Sequence, residues 1–416
     1  MNLRYLKWAL IAALILSPPA LLVLPRGGNA GFYVLVLCSL VGLACRFKAM
    51  DKSFWALMLE YWPINLGMAG LVCAIFLNHL STGHFVTKTY DMPSRLALFP
   101  LVLWVLLLLS NKQLKNIQWG LMAGALVGVV ALYIDTVSGT VRPGGVLSTP
   151  MIPFGNMVFL MGALSLFSIG WNTSSEKMLI ASKLLAGCAG LYAAYLSQTR
   201  GTWIAIPLLI VIGLAAQKRV RLRDQSIVLA SVIALLSAFY VFSGMVQNRV
   251  ASAQQDLSQY AGGENLDTSI GIRLQLWKAA WLLFREHPFF GVGLERFTGA
   301  LQELAARHVI TPVAATFYHA HNEILFGMAT LGVFGMAAIL TLYFVPAFYF
   351  AREIRHPDTE VRTVASMGLA LNLGFFIFGL TDVMIFYWPV SQTFYCVLLP
   401  VFFAHLVKCK AASNRQ

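Results

Sequence analysis

The sequence predicts an all-α integral membrane protein with about twelve transmembrane helices. Of its 416 residues, 58% are hydrophobic and only 11% are charged, and the mean hydropathy is +0.72. A soluble protein of this length has roughly a quarter of its residues charged. Apolar runs of about 20 residues, the length that crosses a bilayer as a helix, recur along the chain.

The first predicted span follows Arg4 and Lys7 and in this respect resembles a signal peptide. Its length, the prolines Pro18 and Pro19, and the lack of a polar domain after it predict an uncleaved span instead. No internal repeat is evident, so residues 1–416 are expected to form one membrane domain. The twelve predicted spans lie near residues 6–25, 29–46, 57–78, 95–110, 117–136, 152–171, 178–197, 201–216, 226–244, 322–350, 362–381 and 387–407.

The net charge of +13 is explained by membrane orientation rather than by binding to nucleic acid. Well over half of the 30 Lys and Arg residues fall in one set of alternate short loops and tails. The positive-inside rule places this set, and with it both termini, in the cytoplasm. The basic residues of this set lie at 4–7, 46–52, 112–115, 177, 218–223, 352–362 and 408–415.

A large loop on the outer face, residues 245–321, is the only predicted extramembrane segment long enough to form a site. Within it, Arg273 to Glu286 is predicted to form a helix that either lies at the membrane interface or packs in a small subdomain. His287-Pro288 ends this helix, and Gly291-Val292-Gly293 predicts a tight turn. Its apolar residues at helical spacing are Leu274, Trp277, Trp281 and Phe284.

Two histidines, His319 and His321, stand where the chain re-enters the membrane. A histidine at this boundary suits a general base acting on a hydroxyl group, and an interfacial histidine that caps the following helix is the alternative. A His-x-His pair can also ligate a metal, with Glu323, His308 or Asp382 as a third ligand. Nothing else in the sequence points to a metal site.

Arg200 lies between two apolar spans with almost no loop between them. An arginine held there either anchors a lipid headgroup or binds an anion such as a lipid phosphate or diphosphate. Arg273, at the start of the loop helix, is a second candidate of the same kind. The remaining loop arginines are expected to be solvated charges: Arg249, Arg285, Arg296 and Arg307.

Asp382 is predicted to lie between the last two spans on the same outer face as the histidines. Two roles fit it equally well from sequence. It could orient an arginine or a histidine, or it could cap the helix that follows.

Three motifs resemble those of the O-antigen ligase and polymerase superfamily of bacterial envelope glycosyltransferases, and most closely its O-antigen ligases. The first is Ser197 to Trp203 with its Thr-Arg-Gly core. The second runs from Arg273 to His287-Pro288-Phe289-Phe290-Gly291-Val292-Gly293. The third, and most specific, is His321-Asn322, nine residues, and then Gly332-Val333-Phe334-Gly335.

The resemblance implies a GT-C type transferase of the bacterial inner membrane, metal-independent and inverting, with no cofactor. It would move O-antigen polysaccharide from undecaprenyl diphosphate to a sugar hydroxyl of lipid A-core at the periplasmic face. In that scheme His321 is the general base, and Arg200 and Arg273 hold the diphosphate. Asn322, His319 and Asp382 are candidates for binding substrate or positioning these groups.

Three other functions remain open from the sequence. An O-antigen polymerase shares the first two motifs, and a protein-glycosylating ligase is related to both. A flippase for a lipid-linked sugar is also polytopic, but transporters place their binding groups near mid-membrane, whereas these candidates gather on one face.

Overall fold

A computed structural model of the chain describes residues 3–24, 29–48, 52–137, 145–146, 149–217 and 241–413, with five isolated positions between 222 and 238. These residues fold almost entirely into α-helices, which confirms the predicted class. A helix satisfies its own backbone hydrogen bonds, as a chain surrounded by lipid requires. The β-structure in the described part is one short antiparallel pair, β1 (Gly145–Val146) and β2 (Thr149–Pro150).

Seventeen helices are described, and we number them in chain order. They are α1 (Leu3–Val23), α2 (Ala30–Ala44), α3 (Phe54–Glu60), α4 (Trp62–Thr82), α5 (Asp91–Ala97), α6 (Phe99–Leu106), α7 (Asn111–Leu114), α8 (Ile117–Val137), α9 (Met151–Phe167), α10 (Lys177–Ser197), α11 (Arg200–Ala215), α12 (Gly244–Gly262), α13 (Ser269–Glu286), α14 (Phe297–Ala306), α15 (Glu323–Ala351), α16 (Thr359–Gly379) and α17 (Pro389–Ser413).

Eight helical stretches in the described residues are long and apolar enough to cross a membrane. Two further apolar helices, α2 and α11, are shorter. These ten correspond to ten of the twelve predicted spans, and the total of twelve stays a prediction. The eight stretches are α1, α4, Asn111–Val137, Met151–Trp171, α10, α15, α16 and α17.

The other two predicted spans have different outcomes. Residues 95–110, predicted as one span, lie mostly in two short helices, α5 and α6, that meet at Leu98, and this span stays a prediction. Pro100 stands in the first turn of α6, where its missing N–H is tolerated, and it disfavours helical geometry in the residue before it. The predicted span 226–244 falls largely outside the described residues.

Small residues let the helices approach closely. Gly120, Gly124 and Gly128 form a stripe along α8 that faces α1, and a Cβ on Gly120 would lie 2.7 Å from the carbonyl oxygen of Ile15. Such small-residue stripes favour helix association in lipid, where packing replaces the hydrophobic effect. The contact also shows that α1 and α8 run in the same direction.

Helix α15 is interrupted at Gly332, which has φ 64° and ψ −150°, a conformation open almost only to glycine. Residues 288–293 lie against the break and take over the hydrogen bonds that the helix loses there. The Val292 and Gly293 N–H groups donate to the Ala329 and Thr330 carbonyls (2.9 and 2.8 Å), and the Val333 N–H donates to the Pro288 carbonyl (2.8 Å). Unpaired backbone groups at membrane depth cost several kcal/mol each, so the break depends on this contact.

We expect Gly332→Ala to destabilise the protein. A Cβ at this position would lie 2.2 Å from the carbonyl oxygen of Phe289, and a φ of 64° strains an alanine. The two effects predict a loss of about 2 kcal/mol or more, measured as a lower midpoint of thermal unfolding in detergent. Gly299→Ala is the matched control, because a Cβ on Gly299 meets no atom within 4 Å. An unchanged midpoint for Gly332→Ala would contradict the account.

Candidate active site

The predicted site residues converge at one end of the helix bundle. At this end α10 and α16 finish and α11, α15 and α17 begin. The loop between α16 and α17, residues 380–388, lies at the centre. Each of the three sequence motifs places residues next to this loop.

The first motif brings Arg200 to the loop. Helix α10 ends at Gln198, which has a left-handed backbone (φ 51°), and α11 begins two residues later at Arg200. A Cβ on Gly201 would lie 2.2 Å from the hydroxyl oxygen of Thr381. The glycine of the Thr-Arg-Gly core therefore allows the start of α11 to pack directly on the residue before Asp382.

Asp382 is buried in the loop, with 1% of its surface exposed. Its Oδ1 accepts a hydrogen bond from the Val383 N–H (2.8 Å), and its Oδ2 accepts one from Trp388 Nε1 (3.2 Å). The Nδ1 atoms of His321 and His319 lie 3.5 Å and 3.9 Å from Oδ1. Of the two roles left open by the sequence, the structure therefore places Asp382 against the histidines rather than at the start of α17.

His319 is neutral near pH 7. Burial lowers its pKa to about 4, and the positive charge of Arg273 and the neighbouring His321 act in the same direction against the opposing effect of Asp382. Its Nδ1 accepts a hydrogen bond from the backbone N–H of His321 (3.3 Å). The proton of the neutral ring therefore lies on Nε2.

Asp382 is ionised. Burial raises the pKa of its carboxyl group, but the two imidazoles beside it, His321 first and His319 second, and the hydrogen bond from the Val383 N–H outweigh burial and hold the pKa below its ordinary value. A buried carboxylate next to an imidazole orients the ring and stabilises its protonated form.

His321 has a left-handed backbone (φ 49°), which is uncommon for a residue other than glycine. Strain of this kind often accompanies functional residues. Its Nδ1 faces Asp382 at 3.5 Å without meeting hydrogen-bond geometry with any described residue. With Nδ1 directed at the carboxylate, Nε2 is the atom left for chemistry.

Asn322, rather than a histidine, caps the helix that follows. Its Oδ1 accepts from the Leu325 N–H (3.0 Å), and its Nδ2 donates to the Leu380 carbonyl (3.3 Å). The amide is thus occupied in joining the start of α15 to the central loop. A direct role for Asn322 in binding substrate stays a prediction.

Glu323, which the sequence offered as a metal ligand, fixes the same loop. The Ile385 and Phe386 N–H groups donate to its Oε1 (2.6 and 3.3 Å), and the Tyr343 hydroxyl donates to its Oε2 (2.5 Å). Its side chain is 1% exposed. Both carboxylate oxygens of Glu323 are therefore occupied by hydrogen bonds within the protein, which link α15 to the central loop.

Three arginines form a cluster next to this loop: Arg273 lies close enough to Asp382 to interact with its charge, and Arg200 and Arg249 lie close to Arg273. Burial lowers the pKa of Arg273; the charge of Asp382 opposes this shift, while Arg200 and Arg249 add to it. Arg249 is likewise affected by burial, by Arg200 and by Asp256. The Nε atoms of Arg249 and Arg273 are buried without a hydrogen-bond partner among the described residues, so guanidinium donors are left over for an anion.

Arg249 is the residue that sequence reasoning missed, since it was expected to be a solvated charge. It lies on α12 seven residues before Asp256, on the same helix face. Asp256 Oδ2 accepts a hydrogen bond from the Ile270 N–H (3.4 Å) at the start of α13, one turn before Arg273. The seven-residue spacing of Arg249 and Asp256 was visible in the sequence, but the pairing of α12 with α13 was not.

Helix α13 has the packed environment of a small subdomain, one of its two predicted alternatives. Its buried face joins α14, residues 310–320, Phe326 and Ala329 of α15, and Val383 of the central loop in a second hydrophobic core. Trp281 stays 48% exposed. The apolar residues of α13 in this core are Leu276, Ala279, Ala280 and Leu283.

The ligand atoms of His319, His321 and Asp382 lie within 4.8 Å of one another and could hold a metal ion. Of the three third ligands that the sequence offered, the structure brings Asp382 to the histidine pair. However, His319 Nδ1 accepts a backbone hydrogen bond, and both Asp382 oxygens accept protein hydrogen bonds. The geometry therefore fits a carboxylate that orients an imidazole better than a set of three free ligands.

Comparison with known proteins is consistent with this arrangement. Residues 184–340 match the family model described as O-antigen ligase, a stretch that contains Arg200, Arg249, Arg273 and both histidines. The chain is 27% identical over 353 residues to an O-antigen ligase of Escherichia coli, covering 82% of each chain. It is 23% identical over 363 residues to an uncharacterized protein of Haemophilus influenzae, covering 84% of this chain and 86% of the relative. These matches confirm the resemblance that the three motifs indicated.

The lowered pKa of His319 predicts a loss of stability in mild acid. An unfolded histidine takes up a proton near pH 6.5, whereas the folded ring does so only near pH 4. The contribution of neutral His319 to the free energy of unfolding is thus fully present above pH 6.5. It is lost as the pH falls from 6.5 to 4, which lowers the free energy of unfolding by about 2 to 3 kcal/mol. The loss of stability that follows protonation of Asp382 occurs at a lower pH than this range, because the pKa of that carboxyl group lies below its ordinary value.

Unfolding midpoints in detergent between pH 7.5 and 4 test this prediction. His319→Asn supplies an amide oxygen in place of Nδ1 and should show a shallower decline than the wild type. His84→Asn, at an exposed position, should follow the wild type. Equal slopes for His319→Asn and the wild type would contradict the proposed state of His319.

Proposed function

Because residues 184–340 match the O-antigen ligase family model and the chain is similar to an O-antigen ligase, we propose that it belongs to this family and transfers O-antigen polysaccharide from undecaprenyl diphosphate to a sugar hydroxyl of lipid A-core. The membrane setting and the ligase or polymerase type of activity follow from the apolar helices and the family. The proposal adds the two substrates, the catalytic groups and the side of the membrane.

One observation supports this mechanism most directly. A histidine faces a buried carboxylate that lies close to Arg273, and Arg273 lies close to Arg200 and Arg249. The Nε atoms of Arg249 and Arg273 are buried without a hydrogen-bond partner among the described residues. Transfer from a lipid diphosphate needs a base for the incoming hydroxyl and positive charge for the leaving group. The site contains these two features side by side.

In the proposed reaction the acceptor hydroxyl oxygen attacks the anomeric carbon of the donor sugar. His321 Nε2 takes the hydroxyl proton, and Asp382 stabilises the imidazolium that results. The bond from the anomeric carbon to the diphosphate oxygen breaks, and the diphosphate leaves with the electron pair. Arg200, Arg249 and Arg273 neutralise the charge that develops on it. A single displacement inverts the anomeric configuration.

An apolar groove beside α11 offers a path for the prenyl chain of the donor. It has a volume of about 850 Å³ and is lined mainly by apolar side chains of α9, α10 and α11. Trp203, one turn after Arg200, lines it, and so does Val246, one turn before Arg249. A lipid in this groove would thus lie next to the arginines.

We place the site on the periplasmic side of the inner membrane, with both termini in the cytoplasm. The supporting observation is that the basic short loops at 112–115 and 352–362 lie at the opposite end of the bundle from Asp382, where α8 begins and α15 ends. Residues 245–321, which carry α12, α13 and α14, then form the large periplasmic segment.

The direct test is an assay with purified protein, an undecaprenyl diphosphate-linked glycan and separately supplied lipid A-core, with EDTA present and no nucleotide. We expect the glycan to appear on lipid A-core, because the mechanism uses arginines in place of a divalent ion. Lengthening of the lipid-linked donor would identify a polymerase instead. Loss of transfer with EDTA that zinc or magnesium restores would overturn the metal-independent mechanism.

Replacement of the proposed base should abolish most transfer. We expect His321→Ala to lower the rate by about 10² to 10⁴-fold, the usual contribution of a general base, with the protein still folded. The measurement is initial rate together with the size-exclusion profile in detergent. His287→Ala, an exposed histidine of the same loop, should retain the wild-type rate. Substantial transfer by His321→Ala would rule out the histidine as base.

The arginine cluster should act on the leaving group rather than on the acceptor. We expect Arg249→Ala, like Arg200→Ala and Arg273→Ala, to lower the transfer rate by about 100-fold, because each removes one donor to the developing charge. Arg285→Ala, an exposed arginine on α13, is the control. If Arg249→Ala behaved like this control, Arg249 would be excluded from the site.

A further inference from the structure

A second cavity lies at the end of the bundle away from the candidate active site. It has a volume of about 1080 Å³ and is bounded by the first turns of α1, by α7 and the start of α8, and by the turn between α9 and α10. The proposed reaction leaves this cavity unused.

The lining of this cavity is basic. Lys7, Lys112 and Lys115 line it beside Arg4, and Glu176 is the carboxylate among the lining residues. Outside the cavity, Lys408 stands close enough to Lys7 to repel it. Several positively charged side chains thus lie close together here, and their mutual repulsion is unfavourable unless an anion binds between them.

The carboxylate of the cavity, Glu176, accepts hydrogen bonds from the turn that precedes α10. Glu176 Oε2 accepts hydrogen bonds from the Thr173 N–H (2.8 Å) and from Asn172 Nδ2 (3.2 Å). Lys115 pairs instead with Glu360 at 3.1 Å. The positive excess of the lining therefore resides chiefly on the side of α1 and α7.

Two polar atoms of the lining residues lack a hydrogen-bond partner among the described residues. Trp171 Nε1 and Gln118 Oε1 are buried without a hydrogen bond to any described residue. A buried polar group left unpaired costs about 1 to 3 kcal/mol. An indole N–H can donate to a phosphate oxygen, and an amide oxygen can accept from a glycerol hydroxyl.

The wall formed by α1 continues from the charged end into apolar surface. Ile11 and Ile15 follow Lys7 at intervals of four residues, on one face of the helix. Trp8 and Trp119, also in the lining, are 61% and 45% exposed. Tryptophan is typical of the depth at which lipid headgroups meet acyl chains.

We propose that this cavity binds an anionic phospholipid of the adjacent membrane leaflet. The headgroup phosphate lies between Lys7 and Lys112, and the acyl chains extend along Ile11 and Ile15. Basic pockets between transmembrane helices bind acidic headgroups in this way, whereas a zwitterionic lipid would leave the excess positive charge unbalanced.

The test is native mass spectrometry of the delipidated full-length protein after addition of phosphatidylglycerol or of phosphatidylethanolamine. We expect one phosphatidylglycerol to be retained in preference to phosphatidylethanolamine. The double variant Lys7→Gln/Lys112→Gln should weaken this binding by about tenfold or more. Arg352→Gln/Arg355→Gln removes the same charge at the same end of the bundle, outside the cavity, and should bind as the wild type does.

Three outcomes would overturn the proposal. One is equal retention of the two lipids, and another is an equal effect of the two double variants. The third is displacement of phosphatidylglycerol by millimolar inorganic phosphate, which would identify a site for free phosphate rather than for lipid. The proposal is independent of the transfer reaction, so an inactive protein that retains phosphatidylglycerol would support it.

Discussion

Three backbone hydrogen bonds between residues 288–293 and the interrupted helix α15 attach the extramembrane segment to the helix bundle. The break at Gly332 exposes backbone groups that lipid cannot satisfy, and the extramembrane segment supplies their partners. In addition, Asn78 of α4 donates to the carbonyl of Phe290 (2.8 Å). The segment that carries Arg249 and Arg273 is thereby attached to the helix that begins two residues after His321.

The same attachment explains two motifs that are far apart in the sequence. The Gly-x-Gly after His287-Pro288 contacts the helix break rather than a phosphate, since Gly291 would clash with Thr330 if it carried a Cβ. The distance from Asn322 to Gly332 is the stretch of helix between its cap and its break. The nine-residue gap therefore sets how far the break lies below the histidines.

The sequence was sufficient to predict the membrane fold, most spans and the residues His321, Arg200, Arg273 and Asp382 as neighbours at one face. Hydrophobic periodicity locates the spans. Because each span carries the chain to the opposite side of the membrane, counting spans shows which loops share a face. They do not reveal how extramembrane helices pair, and for this reason Arg249 looked like a solvated charge. The division of residues 91–106 into α5 and α6 is also invisible to a hydropathy pattern, since Leu98 at the junction is as apolar as its neighbours.

Helices α11 and α15 both start at the candidate site, and this has an electrostatic consequence. The peptide dipoles of each helix place a partial positive charge at its first turn, and Thr199, which precedes α11, makes no side-chain hydrogen bond to the amides there. These backbone groups attract anions without carrying a titratable proton. The first turn of α11 therefore contributes positive partial charge beside Arg200 from the main chain itself, where no side-chain substitution can remove it and no change of pH can discharge it.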